Sequence, residues 1–178
     1  NALVSKLRAM SGRPFDEAHP VLDFDLPDMD SRIAVIGPPL APDGMAFAFR
    51  LHKITPWTLP QFIDVKFLSP LAAGLLSFFV DMQATMLITG SRGSGKTSLL
   101  SSCILEIAQN TRIIVQEDTL ELPVPYMKKI GFNVQRLKTR SPISVSKTET
   151  EVAPQEALRT ALRLGDSALV IGEIRSME

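Results

Sequence analysis

The sequence predicts an α/β fold in which a parallel sheet is flanked by helices, preceded by part of a small α+β region. Three short runs, residues 86–88, 113–115 and 168–171, are wholly apolar and do not alternate, as is typical of strands buried on both faces of a parallel sheet. Helical patterns lie between them, over residues 98–109 and 154–164. This succession of strands and helices indicates a three-layer α/β domain.

The composition is that of a folded globular protein. Of its 178 residues, 45% are hydrophobic and 21% are charged, which excludes a disordered chain. The 19 basic and 19 acidic side chains balance, so no global positive field would hold a polyanion. The apolar stretch at residues 67–80 is shorter than the ~20 residues that span a bilayer. A single cysteine, Cys103, excludes an internal disulfide and fits a reducing compartment.

The first 54 residues are predicted to be a partial α+β domain, because so few residues bury too little surface for a whole one. A helix is predicted over residues 1–10 and strands over 32–36 and 45–51. A proline-punctuated linker at residues 55–60 then precedes the α/β domain of residues 61–178. Nothing caps the first helix, so the chain is expected to be cut from a longer protein.

A complete GxxxxGKT motif stands between the strand predicted at residues 86–88 and the helix that follows. Its glycines let successive backbone N–H groups curl round a triphosphate, and the helix directs the positive end of its dipole at the same charge. Lys96 is expected to reach the β and γ phosphates, and the Thr97 hydroxyl to bind Mg²⁺. The predicted nucleotide-binding residues of this segment are Gly90, Ser91, Arg92, Gly93, Ser94, Gly95, Lys96, Thr97 and Ser98.

Carboxylates follow the two other predicted strands. Glu117 and Asp118, and then Glu121, follow the first of these strands, and Glu173 follows the second. The carboxyl ends of parallel strands converge where ligands bind, and an acid there can hold the water shell of a metal or polarise an attacking water. Glu117 and Glu173 are therefore candidate catalytic acids, together with Lys96. Asp118 and Glu121 are as well explained as ordinary surface acids.

The segments GSRGSGKTS, QEDTLEL and ALRLGDSALVIGEIRSME, in this order and spacing, resemble the Walker A, Asp box and Walker B segments of the type II/IV secretion ATPase superfamily. The upstream residues resemble the N-terminal domain that precedes the motor domain in that family. The Asp box reads EDT rather than EDP, and the sequence has no tetracysteine zinc insert. In both features the chain resembles the archaeal and conjugation-type branch of the family more than its pilus extension and type II export ATPases. The resemblance implies a RecA-like P-loop core, expected to be truncated after Walker B because the family's His box has no counterpart here.

The same resemblance implies an ATP-hydrolysing motor subunit of a secretion, type IV pilus-assembly or conjugation-type machine, with ATP and Mg²⁺ as cofactors. It implies a hexameric ring attached to a membrane-embedded platform protein, at the cytoplasmic face of the cell membrane. By position, Glu117 matches the acid proposed as general base, and Glu173 matches the Walker B acid that serves the metal beside Thr97. Arg32 and Arg50 match two N-domain arginines thought to reach the γ-phosphate, although Arg50 by itself is equally a solvated strand residue.

Two other functions remain open. A nucleotide-binding structural or regulatory subunit would bind ATP with little turnover, although the intact Glu117 and Glu173 argue against it. A basic strip at residues 126–147, which contains Arg136 and no acid, is either a solvated rim or a nucleic-acid groove. It lacks interleaved aromatic residues beyond Tyr126 and Phe132, so nucleic acid is not expected as a direct ligand.

Overall fold

The protein has a mixed α/β fold with a parallel sheet. The structure is a computed structural model that describes residues 2–26, 31–51, 55–139 and 152–174. The chain divides into two compact units, Asn1–Ile54 and Thr55–Glu178, which are described one at a time.

The first unit consists of one helix and an antiparallel sheet. Helix α1 (Ala2–Ser11) precedes strands β1 (Val21–Leu26), β2 (Ser31–Ile36) and β3 (Ala46–Leu51), which lie in the order β1-β2-β3. The predicted helix and both predicted strands are confirmed, whereas β1 was not predicted. One apolar face of α1 packs with the inward residues of β1 and β2, and the core comprises Val4, Leu7, Phe15, Leu22, Ile33 and Val35.

The second unit contains a three-stranded parallel sheet. Its helices are α2 (Leu59–Asp64), α3 (Pro70–Asp81), α4 (Lys96–Leu105), α5 (Val124–Lys129) and α6 (Pro154–Ala161), and its strands are β4 (Ile113–Glu117), β5 (Val134–Lys138) and β6 (Ala168–Ile171). The strand order is β5-β4-β6, so β4 is paired on both edges and is buried at every position. The buried core around it comprises Ile104, Ile113, Val115, Leu122, Val124, Met127, Phe132, Val134 and Val170.

The sequence predicted two of the three apolar strands correctly. Residues 113–115 lie in β4 and residues 168–171 form β6, but residues 84–90 form no strand. A strand exists only through hydrogen bonds to a neighbour, and no strand within the described ranges pairs with residues 86–88. Leu87, which a buried strand would have covered, is 77% exposed. The predicted parallel sheet therefore lacks this member.

The helices begin where local signals place them. Helix α6 begins at Pro154, as predicted, because proline is favoured in the first turn. Helix α3 follows Ser69, whose side-chain oxygen accepts a hydrogen bond from the Ala72 backbone N–H. Both predicted helices end earlier than expected, α4 at Leu105 and α6 at Ala161. In the part of the chain that the structure describes, no helix has the length and apolar character needed to cross a membrane.

Candidate functional site

The glycine-rich loop turns into α4 through two residues with positive φ. Gly93 has φ of 77° and Gly95 has φ of 83°, a backbone region that side chains other than glycine occupy at a cost. Gly95 is the residue that precedes the first turn of α4. The helix therefore begins at Lys96 with its unpaired N–H groups directed at the loop, the arrangement that favours an anion.

The Lys96 side chain folds back over this loop. Its Nζ donates hydrogen bonds to the Gly90 carbonyl oxygen at 3.0 Å and to the Ser91 carbonyl oxygen at 2.8 Å. These contacts hold the ammonium group beside the loop. A positive charge and a set of helix N–H groups are thus brought to one place, as the phosphate-binding prediction for this motif requires.

A chain of aromatic rings supports the loop from the preceding segment. The rings of Trp57 and Phe62 are 5.3 Å apart between centroids, and those of Phe62 and Phe67 are 4.9 Å apart. The Phe67 ring reaches Gly95, where a Cβ atom would stand 3.5 Å from it. The Ser102 hydroxyl of α4 donates to the Trp57 carbonyl oxygen at 2.6 Å. Residue 57, which the sequence placed in a linker, is therefore anchored to the loop and its helix.

Two oxygen-bearing side chains meet at the first turn of α4. The Thr97 hydroxyl lies 3.4 Å from Glu121 Oε2, which is long for a hydrogen bond between oxygens. Mg²⁺ binds oxygen ligands and usually takes one or two carboxylates, with water and substrate phosphates completing its shell. Among the described residues no three His, Cys, Asp or Glu side chains form a group that could hold a metal. The hydroxyl and carboxylate thus fit a Mg²⁺ ion that takes its other ligands from phosphate and water.

Glu117, at the end of β4, is buried and held by three groups. Its side chain is 2% exposed. Oε1 accepts hydrogen bonds from the backbone N–H groups of Glu121 at 2.9 Å and Leu122 at 2.7 Å. Oε2 lies 3.2 Å from Arg136 Nε, an ion pair without the alignment of a hydrogen bond. Glu117 is therefore fixed between β5 and the segment that follows β4.

Burial raises the pKa of the Glu117 carboxyl above its usual value of 4.5. The backbone N–H donors of Leu122 and Glu121 and the charge of Arg136 act in the opposite direction, and the Glu121 charge adds to the increase. The net direction is upward because desolvation is the largest effect. The Glu117 proton is consequently held more tightly in the folded chain than in a solvated glutamate.

The ends of β4 and β6 lie side by side. The Gly172 N–H donates to the Gln116 carbonyl oxygen at 2.8 Å, so Gly172 continues the register beyond Ile171. A Cβ atom on Gly172 would come within 2.9 Å of Glu117 Cγ, which explains why a residue without a side chain stands there. Glu173 follows and is exposed. Both candidate acids therefore stand at the carboxyl ends of neighbouring parallel strands.

In the first unit, Arg32 and Arg50 are direct neighbours across β2 and β3. The Arg32 guanidinium donates to both oxygens of Asp23, from Nε at 2.7 Å and from Nη2 at 2.5 Å. Arg13 Nη1 donates to the backbone oxygen of the same aspartate at 2.6 Å. Arg32 is thus held in an ion pair. Arg50 is exposed on β3.

Two residues near Glu117, Arg136 and Glu121, were not predicted as site residues. Arg136 was placed in a basic strip that one interpretation made a solvated rim, and for Arg136 that interpretation is wrong because its side chain is 21% exposed and paired with Glu117. Its position two residues after the buried Val134, on the same face of β5, was the available signal. Glu121 was left between a functional and a surface role. Arg140 and Lys147 of the strip lie outside the described residues.

The fold and this site together define a class: a mixed α/β protein in which a glycine-rich loop leads into a helix and acids end the neighbouring parallel strands. The chain belongs to the type II/IV secretion system protein family, whose model matches residues 1–178. This confirms the family resemblance of the sequence. An uncharacterised protein of Methanocaldococcus jannaschii is 31% identical over 99% of this chain, and the conjugal transfer protein TrbB of Rhizobium radiobacter is 25% identical over 90% of it.

The chain spans less than half the length of these relatives, 24% of the Methanocaldococcus protein and 46% of TrbB. Among solved structures, the VirB11 ATPase from the Brucella suis type IV secretion system, crystallised with sulphate, matches 98% of this chain and 57% of its own. The two chains are 24% identical and superimpose with a TM-score of 0.44.

Proposed function

We propose that this chain is the nucleotide-binding part of an ATP-hydrolysing motor subunit of a secretion, pilus-assembly or conjugation-type machine. The observation that carries the proposal is the site formed by the glycine-rich loop and the start of α4. There Lys96 Nζ donates hydrogen bonds to two loop carbonyl oxygens, and the Thr97 hydroxyl lies beside the Glu121 carboxylate. Membership of the type II/IV secretion family supports it, and the relative TrbB is a conjugal transfer protein. A RecA-like P-loop core is part of the proposal.

The proposed roles follow the charges of the site. The loop residues 90–98 and Lys96 bind the phosphates, because backbone N–H groups at a helix start and a cation together favour a polyanion. Thr97 and Glu173 serve Mg²⁺, which when bound neutralises charge on the phosphate oxygens. Glu117 orients or deprotonates the attacking water in its ionised form. Arg136 supports that form, since its positive charge lowers the Glu117 pKa against the effect of burial.

The roles of the wider protein are also proposals. Arg50, and Arg32 if it exchanges its Asp23 partner, contact the γ-phosphate, because a guanidinium binds phosphate oxygens through two parallel donors. The motor forms a hexameric ring on a membrane-embedded platform protein at the cytoplasmic face of the membrane. An Arg50→Lys variant keeps the charge but loses the planar fork of two parallel donors, so it should narrow the difference between ATP and ADP affinity. An unchanged ratio of the two affinities would leave Arg50 as a solvated strand residue.

One observation favours a second function, a nucleotide-binding subunit with little turnover. Both carboxylate oxygens of Glu117 are engaged, one by two backbone N–H groups and the other by Arg136. Oε2 accepts no hydrogen bond but is buried beside Arg136, so it has to be uncovered before it can take a proton from water. The second function differs from the first only in the rate of hydrolysis.

Phosphate release from ATP and Mg²⁺ distinguishes the two functions. For the motor, the full-length wild type turns over ATP. In the same protein Glu117→Gln, whose amide oxygen can still accept from the backbone N–H groups, binds nucleotide nearly as well but is at least ~10²-fold slower, the scale of a lost acid–base contribution. If Glu173→Gln has this profile instead and Glu117→Gln hydrolyses normally, the two roles are reversed. Tight binding without turnover by the full-length wild type would establish the second function.

A further inference from the structure

A continuous set of contacts joins Arg136 on β5 to Thr97 at the phosphate loop. Arg136 Nη2 donates to the Leu122 carbonyl oxygen at 2.7 Å, and its Nε stands 3.2 Å from Glu117 Oε2. The other oxygen of Glu117 accepts from the N–H groups of residues 121 and 122. The Arg136 guanidinium thus binds the carbonyl oxygen of Leu122, and the Glu117 carboxylate binds its N–H group.

The side chain that this backbone carries to the site is Glu121. Its N–H is fixed by Glu117, and its carboxylate reaches the Thr97 hydroxyl at 3.4 Å. Mg²⁺ takes oxygen ligands, among them one or two carboxylates. At 3.4 Å the two oxygens are close enough for both to face one Mg²⁺ ion if it were bound with a nucleotide.

We propose that Arg136 is a positioning residue of the nucleotide site. Through Glu117 and the backbone of residues 121–122, it keeps the Glu121 carboxylate beside Thr97, where both oxygens serve a Mg²⁺-nucleotide. This inference rests on the proposed function. It adds Glu121 to the metal-facing groups and makes the Glu117–Arg136 pair the support that holds it.

The two acceptors of Arg136 explain why arginine is required. Nε and Nη2 of one rigid planar group address a carboxylate and a backbone carbonyl at the same time, whereas a lysine ammonium is a single point charge on a flexible stem. Arg136→Lys therefore keeps the charge that Glu117 needs and removes the two-point attachment. If only the positive charge of Arg136 mattered, Arg136→Lys would leave nucleotide binding unchanged.

The experiment measures the affinity of a fluorescent ADP analogue with Mg²⁺ and with EDTA, for wild type, Arg136→Lys, Glu121→Gln and the double variant. We expect the Mg²⁺-dependent gain in affinity to fall about 10-fold in Arg136→Lys, the lower range for a hydrogen bond to a charged group. Affinity in EDTA should not change. Glu121→Gln should give the same loss, and the double variant no more than either single one, because both changes act through one carboxylate.

Arg112→Lys is the matched control. Arg112 lies in the same unit and donates from Nη1 to the Leu164 carbonyl oxygen at 2.8 Å, so the change is the same without a connection to Glu117. Its Mg²⁺-dependent gain should equal that of the wild type. Losses that multiply in the double variant, or an unchanged gain in Arg136→Lys, would overturn the proposal.

A second readout does not need nucleotide. The N–H groups of residues 121 and 122 are bonded to Glu117 Oε1, so their hydrogen exchange reports how firmly the segment is held. Arg136→Lys should accelerate exchange at both amides about 10-fold while the amides of β4 stay protected. Unchanged exchange at residues 121 and 122 would contradict the positioning role. If wild-type protein binds no nucleotide but these amides respond, the proposed function fails and the support by Arg136 stands.

Discussion

The Glu117–Arg136 pair should be a large term in the stability of the second unit. In an Arg136→Met variant the Glu117 carboxylate, 2% exposed, would lose the guanidinium that pairs with it, and the Leu122 carbonyl oxygen would lose its guanidinium donor. Removing one partner of a buried ion pair costs about 3–5 kcal/mol. Because Arg136 is 21% exposed and water reaches part of it, we expect ~3 kcal/mol, the lower end of that range.

Urea denaturation followed by circular dichroism measures this cost. The double variant Glu117→Gln/Arg136→Met should recover more than half of it, since it leaves no charge buried and the amide oxygen still accepts from the backbone N–H groups. Lys129→Met, which removes an exposed cation from α5, should change the free energy of unfolding by less than about 0.5 kcal/mol. A loss below ~1 kcal/mol in Arg136→Met, the value of a surface pair, would refute the reasoning.

Three further predictions concern the same unit. Because the pKa of Glu117 is raised above 4.5, the stability that this carboxyl contributes is full below that pH and declines as pH rises. The melting temperature of wild type relative to Glu117→Gln should therefore fall between pH 4.5 and 7. A rise over this range would contradict the upward shift of the pKa. Gly172→Ala places a Cβ 2.9 Å from Glu117 Cγ and should cost about 1–3 kcal/mol in urea denaturation, whereas Ala168→Gly in the same strand should cost no more than ~1 kcal/mol. Met127→Ala leaves a cavity at a fully buried position and should lower the free energy of unfolding by about 2–5 kcal/mol. A loss of less than about 1 kcal/mol would contradict this prediction.

The strands that the sequence predicted correctly are those with an apolar run in the local sequence. Residues 113–115 and 168–171 contain no polar residue, which predicted strands buried on both faces. Strand β4 is buried at every position, whereas in β6 Leu169 and Ile171 are each 38% exposed. The run at 86–88 has the same composition but no strand beside it in the described residues. Its failure shows the limit of the pattern, because composition records what a segment can bury and not which strand it pairs with.

The strands that the sequence did not predict are those in charged surroundings. Strand β1 alternates Leu22 and Phe24 with aspartates inside an acidic block, and β5 carries Arg136 within a basic strip. In both cases the many charged residues made it hard to recognise the alternation of inward-facing and outward-facing residues that is typical of a strand. Arg136 is paired with Glu117, which lies on the neighbouring strand β4 and not near it in the sequence. No local pattern contains that information.

The candidate site was predictable to the level of its motif. The GxxxxGKT spacing located the loop, the helix start and Lys96, because each property belongs to consecutive residues. The acids after β4 and β6 were found because parallel strands end at one edge. Which acid turns inward and which reaches Thr97 depends on the path of residues 118–122, which is set by Glu117 and Arg136 rather than by the residues of that path alone.

The central claim is that the loop and Lys96 bind the phosphates of a nucleotide, and one titration tests it most directly. A fluorescent ATP analogue with Mg²⁺ is titrated against wild type, Lys96→Ala and Lys128→Ala, the last removing an exposed lysine of α5. The account predicts saturable binding by wild type and Lys128→Ala, and affinity at least ~10-fold weaker in Lys96→Ala, the scale of one hydrogen bond to a charged group. Equal affinity in all three proteins, or no saturable binding by the wild type, would contradict it.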